Sequence, residues 1–162
     1  MKKPSLLRLL WLLFFIGCAS PSVSAGPQSW SQTTPQINLK HIFEGEINRF
    51  GKPTGLHHIK NNLKTARIHE ILSPENKFGI YTAIVEIYDA ESKSWKQKFS
   101  SMFPDRYSQE EVLSVILHAL ENASQKQPGK WRSSSGRGYE IEGYRLKNMK
   151  IITAYPIYVK TN

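Results

Sequence analysis

Cysteine is nearly absent from this chain. Cys18 is the one cysteine among 162 residues, so no disulfide can form within the chain. Stability must then come from an apolar core. Long apolar runs are also missing. The longest, residues 6–16, falls short of the roughly 20 residues a membrane-spanning helix needs. No His-Glu-x-x-His pattern and no cysteine cluster occurs, which argues against a zinc hydrolase built on a local motif. Acidic residues are scarce beside basic ones, 13 against 22, for a net charge of +9. A basic surface suits a polyanion such as RNA or an anionic membrane, and charge alone does not choose between them.

The ends carry the first positive signal. Lys2, Lys3 and Arg8 precede or open the apolar run, and Gly17 and Cys18 follow it. That order is expected of an export signal over residues 1–25. Two cleavage readings stay open. Phe15-Ile16-Gly17-Cys18 resembles a bacterial lipobox, which would make Cys18 a lipid anchor; Val23-Ser24-Ala25 resembles an ordinary small-x-small site. Removing the leader takes three basic residues and no acid, leaving a charge near +6. The protein is thus expected outside the cytoplasm, as an envelope lipoprotein or as a periplasmic or secreted protein.

Residues 26–36 are rich in Pro, Ser, Thr and Gln and read as a linker. Residues 37–162 then form one domain, long enough for a real core. Residues 37–49 are ambiguous between a short helix and irregular chain, and 51–55 read as a turn. Residues 61–72 are weakly helical at best. Two-residue periodicity predicts a strand over 79–88, with Tyr81, Ala83, Val85 and Ile87 on one face, a turn over 89–94 and a returning strand over 95–99. Ser108-Gln109-Glu110-Glu111 is a capping box opening a helix to about residue 122. Residues 126–136 read as a polar loop. Residues 139–146 and 151–159 read as an antiparallel hairpin. The class expected is α+β, a small single domain with an antiparallel sheet packed by helices.

Five histidines are present. His69 and His118 read as surface residues. His41, His57 and His58 fall in the least regular stretch, beside glycine turns, where sites are usually built. Thr153 and Tyr155 share one face of the last strand, and Pro156 marks that strand as an edge.

These residues carry a resemblance. His41-Ile42-Phe43-Glu44-Gly45-Glu46-Ile47 followed by Gly55-Leu56-His57-His58 resembles the two-histidine region of bacterial EndoU nucleases. Ser100-Ser101-Met102-Phe103-Pro104-Asp105 before a helix resembles the family's central Phe-Pro-Asp motif, with Met102 in place of an aromatic. Gly143-Tyr144 and Ile151-Ile152-Thr153-Ala154-Tyr155-Pro156 resemble its C-terminal signature. The resemblance implies the fold group of barnase, EndoU, colicin E5 and RelE. It implies an endonuclease that cuts single-stranded RNA at uridine and leaves a 2′,3′-cyclic phosphate.

Carried over residue by residue, His41 is the first catalytic histidine, and His57 the second with His58 its rival. Lys98 is the lysine, with Lys96 and Lys77 as alternatives. Thr153 and Tyr155 are the substrate-facing pair. Lys40, Arg49, Lys52, Lys60, Lys64 and Arg67 surround the histidines and could hold the RNA backbone. No cofactor or metal is required for such chemistry, and manganese is a candidate stimulator. Family analogy adds a toxin role and an immunity protein as partner. A monomer is expected. The competing reading is a non-catalytic envelope lipoprotein or periplasmic binding module on a degenerate EndoU-like fold.

Overall fold

The structure, a computed structural model, describes residues 29–59 and 63–161. The export signal expected over residues 1–25, with Cys18, lies outside the described residues. Among the described residues, two helices and three antiparallel sheets follow in chain order, as an α+β class requires.

Helix α1, Leu39–Phe43, is a single turn capped by Asn38, whose side chain accepts from the His41 amide. Strands β1, Glu46–Ile47, and β2, Pro53–Thr54, make a two-stranded ribbon. Strands β3, Ala66–Ser73, β4, Tyr81–Asp89, and β5, Ser94–Met102, form one meander with β4 in the middle. Helix α2, Gln109–Asn122, follows. Strands β6, Gly129–Ser134, β7, Glu140–Arg145, and β8, Ile151–Pro156, form the second meander with β7 in the middle.

Helix α2 starts where the sequence places it. The Ser108 side chain accepts from the Glu111 amide, and the Glu111 carboxylate accepts from the Ser108 amide. Such a box is worth about 1 kcal/mol. Val112, Val115, Ile116, Ala119 and Leu120 turn inward onto Trp131, Ile141, Ile151 and Ala154 of the second sheet. Gly143 is required at its position because the Trp131 ring lies across its backbone; a Cβ there would sit 2.4 Å from that ring. A second, smaller core gathers Leu56, Tyr81, Ala83, Val85 and Met102 under the first sheet.

The sequence reading needs several corrections. Residues 66–73 are strand β3, not weak helix. Within β3 only Ala66 is buried, and the register shifts twice against β4. An edge strand open on both faces needs no period-two pattern, so pairing with β4 decides it. Residues 129–134 are strand β6, not loop. This too is an edge strand, with Trp131 inward and Lys130 and Arg132 outward onto Glu142 and Glu140 of β7. Residues 29–36 are not a free linker. The Ser31 amide donates to Ile37, the Ser31 hydroxyl accepts from the Ile37 amide, and Trp30 bridges Asn38. Residues 53–54, read as part of a turn, pair as strand β2 because the chain folds back on β1, and the last strand stops at Pro156 rather than at 159. The predicted helix, the central strands and the final hairpin otherwise stand, with β5 running on to Met102.

The two meanders meet near the start of the C-terminal segment. There the Ser101 hydroxyl of β5 donates to the Pro156 carbonyl of β8 at 2.5 Å.

Candidate active site

His41 and His57 are 16 positions apart in sequence, and backbone bonding brings them together. The Leu56 amide donates to the His41 carbonyl at 2.7 Å, and the His57 amide donates to the Ile42 carbonyl at 2.8 Å. Gly55 makes that approach with φ +75°, where any Cβ would lie 2.1 Å from the His41 carbonyl oxygen. The Phe103 amide then donates to the His57 carbonyl, fixing the loop onto the end of β5. The imidazole centroids of His41 and His57 are 6.1 Å apart.

Each ring is held from behind. His41 Nδ1 lies 2.9 Å from the Glu46 carboxylate. A carboxylate can only accept, so Nδ1 carries the proton and Nε2 is left for chemistry. His57 Nδ1 lies 3.1 Å from the Ser101 carbonyl and 3.1 Å from the Ser100 hydroxyl. The Ser100 hydroxyl donates its proton to the Leu56 carbonyl at 2.5 Å. Both neighbours of His57 Nδ1 therefore accept, which again leaves Nε2 bare.

Lys98 reaches the same cluster from β5. Its ammonium donates to the Gly55 carbonyl at 2.8 Å. Burial pulls its pKa down to about 8. Burial also lowers His41, while the hydrogen bond and charge of Glu46 pull it back up and Lys98 pushes it down. His57 is held well below the ordinary histidine value by burial, then by the charges of Lys98 and His41.

Tyr155 closes the other side. Its ring lies 5.2 Å from the His57 ring, centroid to centroid. Its hydroxyl donates a short hydrogen bond to Glu142 of β7. Burial, with that carboxylate, pushes the phenol up to about 12. Burial raises the Glu142 carboxyl, but hydrogen bonds from Tyr155 and Lys130 outweigh it and hold the group below its usual range.

The structure thus brings His41, His57, Lys98 and Tyr155 together. Thr153 lies two residues along β8 on the Tyr155 face, opposite Tyr144. His58 turns the other way and is fully buried edge-on against Phe43. Lys96 shares the Lys98 face of β5 but pairs with Ile87 and acts on Asp89. Lys77 precedes β4, against Phe78 and Thr161. His69 and His118 are exposed. Four residues escaped the sequence reading: Glu46, Ser100, Ser101 and Glu142. Glu46 and the two serines lay inside the quoted motifs. Glu142 gave no signal, since only its pairing with Tyr155 across the sheet reveals it.

The sequence profile described as bacterial EndoU nuclease matches residues 35–158, which span both histidines and Tyr155. The chain belongs to the bacterial EndoU nuclease family. A Bacillus cereus protein described as a toxin is 33% identical to this EndoU chain over 119 residues. Those residues are 73% of this chain and 22% of that protein, so the chain spans under a quarter of its relative. No solved structure matches it. Among the described residues of this EndoU domain, no three acidic, histidine or cysteine side chains cluster as metal ligands would.

Proposed function

We propose that this domain is an endoribonuclease that cuts single-stranded RNA at uridine. The ribose 2′-hydroxyl attacks the adjacent phosphorus, the bond to the 5′-oxygen breaks, and a 2′,3′-cyclic phosphate and a 5′-hydroxyl end result. The observation that carries the reading is the His41–His57 pair at 6.1 Å with the Lys98 charge acting on both.

The roles follow from the environments. His57 is buried and held neutral, with Nδ1–H occupied and Nε2 bare. It is the general base that takes the 2′ proton. His41 has the Glu46 carboxylate behind it, so it keeps a proton better than His57 does. It is the general acid for the departing 5′-oxygen. Lys98 supplies positive charge to the phosphate as negative charge gathers there. Positioned charge of this kind is usually the largest single contribution. Tyr155 packs against the ribose or base, and Thr153 hydrogen-bonds the uracil edge. No step of this mechanism draws on a metal, and manganese would act as a stimulator. The leader at residues 1–25 supports action outside the cytoplasm, with Cys18 as an anchor if the lipobox is used. A toxin role and an immunity partner draw support from the relative's description.

The test is cleavage of a single-stranded RNA carrying one uridine, in EDTA, by the protein and by its His41→Ala and His57→Ala variants. Cyclic phosphate formed beside the uridine, and lost in both folded variants, is the expected result. Cleavage only with manganese would refute the metal-free mechanism. No cleavage in either condition would favour the binding module.

A further inference from the structure

Beyond Tyr155 the two sheets leave a cavity of about 390 Å³. Ser73, Thr82, Phe99 and Ser101 of the first sheet form one wall, and residues 155–158 form the other. Neither histidine lines it, and nor do Lys98 or Thr153. It touches the catalytic cluster through Tyr155, whose ring packs against His57, and through Ser101, whose carbonyl faces His57 Nδ1.

The lining has a particular chemistry. Phe99 is 58% exposed in the middle of a strand. Its neighbour across the ladder is Ile84, on the face of the sheet away from the second core. A large aromatic left open beside a site is a stacking platform in need of a partner. Tyr158 stands opposite, its hydroxyl donating to the Pro74 carbonyl. Ser73 and Thr82 supply hydroxyls, which donate or accept as the ligand requires. Among the described residues, no ionised side chain lines the cavity. The lining therefore suits a flat, neutral, polar-edged ring better than a phosphate.

We propose that this cavity is a second nucleobase subsite, taking the base that neighbours the uridine at Thr153 and Tyr155, with Phe99 as its stacking face. The proposal rests on the ribonuclease reading above for the direction of the RNA past Tyr155. Thr153 and residues 157–158 lie on opposite sides of Tyr155 along the chain, so one nucleotide cannot fill both places. The subsite recognises a π-face and offers hydroxyls of either polarity. It therefore takes any base, and its contribution is positioning rather than sequence choice.

Two tetranucleotide sets test it with the protein and its Phe99→Ala and Phe99→Trp variants. Each set carries either a base or an abasic ribose at the nucleotide flanking the uridine, on each side in turn. One set is cleavable, and the other has a 2′-deoxy uridine and reads binding by fluorescence anisotropy. On one side of the uridine, the protein should bind the base-bearing oligonucleotide roughly 5- to 100-fold more tightly than the abasic one. Phe99→Ala should erase that ratio while binding the abasic oligonucleotide as before, and Phe99→Trp should restore it. Equal ratios in the protein and in Phe99→Ala would overturn the subsite, whatever the cleavage result. A Phe99-dependent ratio in a protein that cuts none of the cleavable set would keep the nucleobase subsite and refute the ribonuclease reading. No binding of either set would overturn both.

Discussion

Replacing Lys98 with methionine should remove activity and make the protein more stable. Burial holds the Lys98 pKa at about 8, against an ordinary 10.5. That difference means folding opposes the charged ammonium by about 3 kcal/mol. Methionine keeps the apolar stem in the same space. It also leaves the Gly55 carbonyl without the Lys98 donor, which costs about 1 kcal/mol. The net expectation near pH 7 is a gain of about 2 kcal/mol, or roughly 5–10 °C in Tm. The pH dependence gives the sharper check. Below pH 8 the lysine is protonated in both folded and unfolded chains, and the full penalty is present. Between about 8 and 10.5 the unfolded chain still binds the proton and the folded chain has released it. The penalty therefore fades as pH rises, and above 10.5 the variant should be about 1 kcal/mol the less stable. Urea unfolding of both proteins from pH 7 to 10.5, followed by circular dichroism, measures the gap directly. A variant less stable at pH 7, or a gap that ignores pH, would refute the burial argument. Its kcat/KM on RNA should fall about 100- to 1000-fold, as for loss of a positioned stabilising group.

The pH profile of kcat/KM reports the free enzyme's acid and base. Both histidines are lowered from 6.5, so the maximum should lie on the acid side of 6.5; a maximum above pH 7 would refute the assignment. Glu46→Gln removes the carboxylate that raises His41. Its alkaline limb should move to lower pH, and kcat/KM at pH 7 should drop about tenfold with little change at the acid end, the size expected for loss of a charge-assisted hydrogen bond. Gly55→Ala places a Cβ against the His41 carbonyl at a φ that disfavours any side chain. It should cost about 2–4 kcal/mol in urea unfolding and lower kcat/KM, since the same contact sets the histidine pair.

Some of this was legible one element at a time. A capping box and a 3.6-residue apolar repeat are local facts, and α2 begins and ends where they put it. The face pattern also found β4, buried on nearly all of both faces, and the β7–β8 hairpin, though β8 stops at Pro156. The edge strands β3 and β6 were missed because each takes its conformation from pairing with one partner strand rather than from a local apolar pattern. The motifs carried the family and with it the candidate residues His41, His57, Lys98, Thr153 and Tyr155. They carried no account of why Lys98 and not Lys96 or Lys77 reaches the histidines, or why His57 and not His58 faces His41. Those choices were made by contacts across 43 and 44 positions, from Lys98 to Gly55 and from Ser100 and Ser101 to the 56–57 loop. The sequence by itself determined which residues could do acid–base chemistry and which segments could fold locally. The tertiary structure decided which of them share one buried volume, because desolvation and hydrogen-bond partners belong to places in the fold and not to positions in the chain.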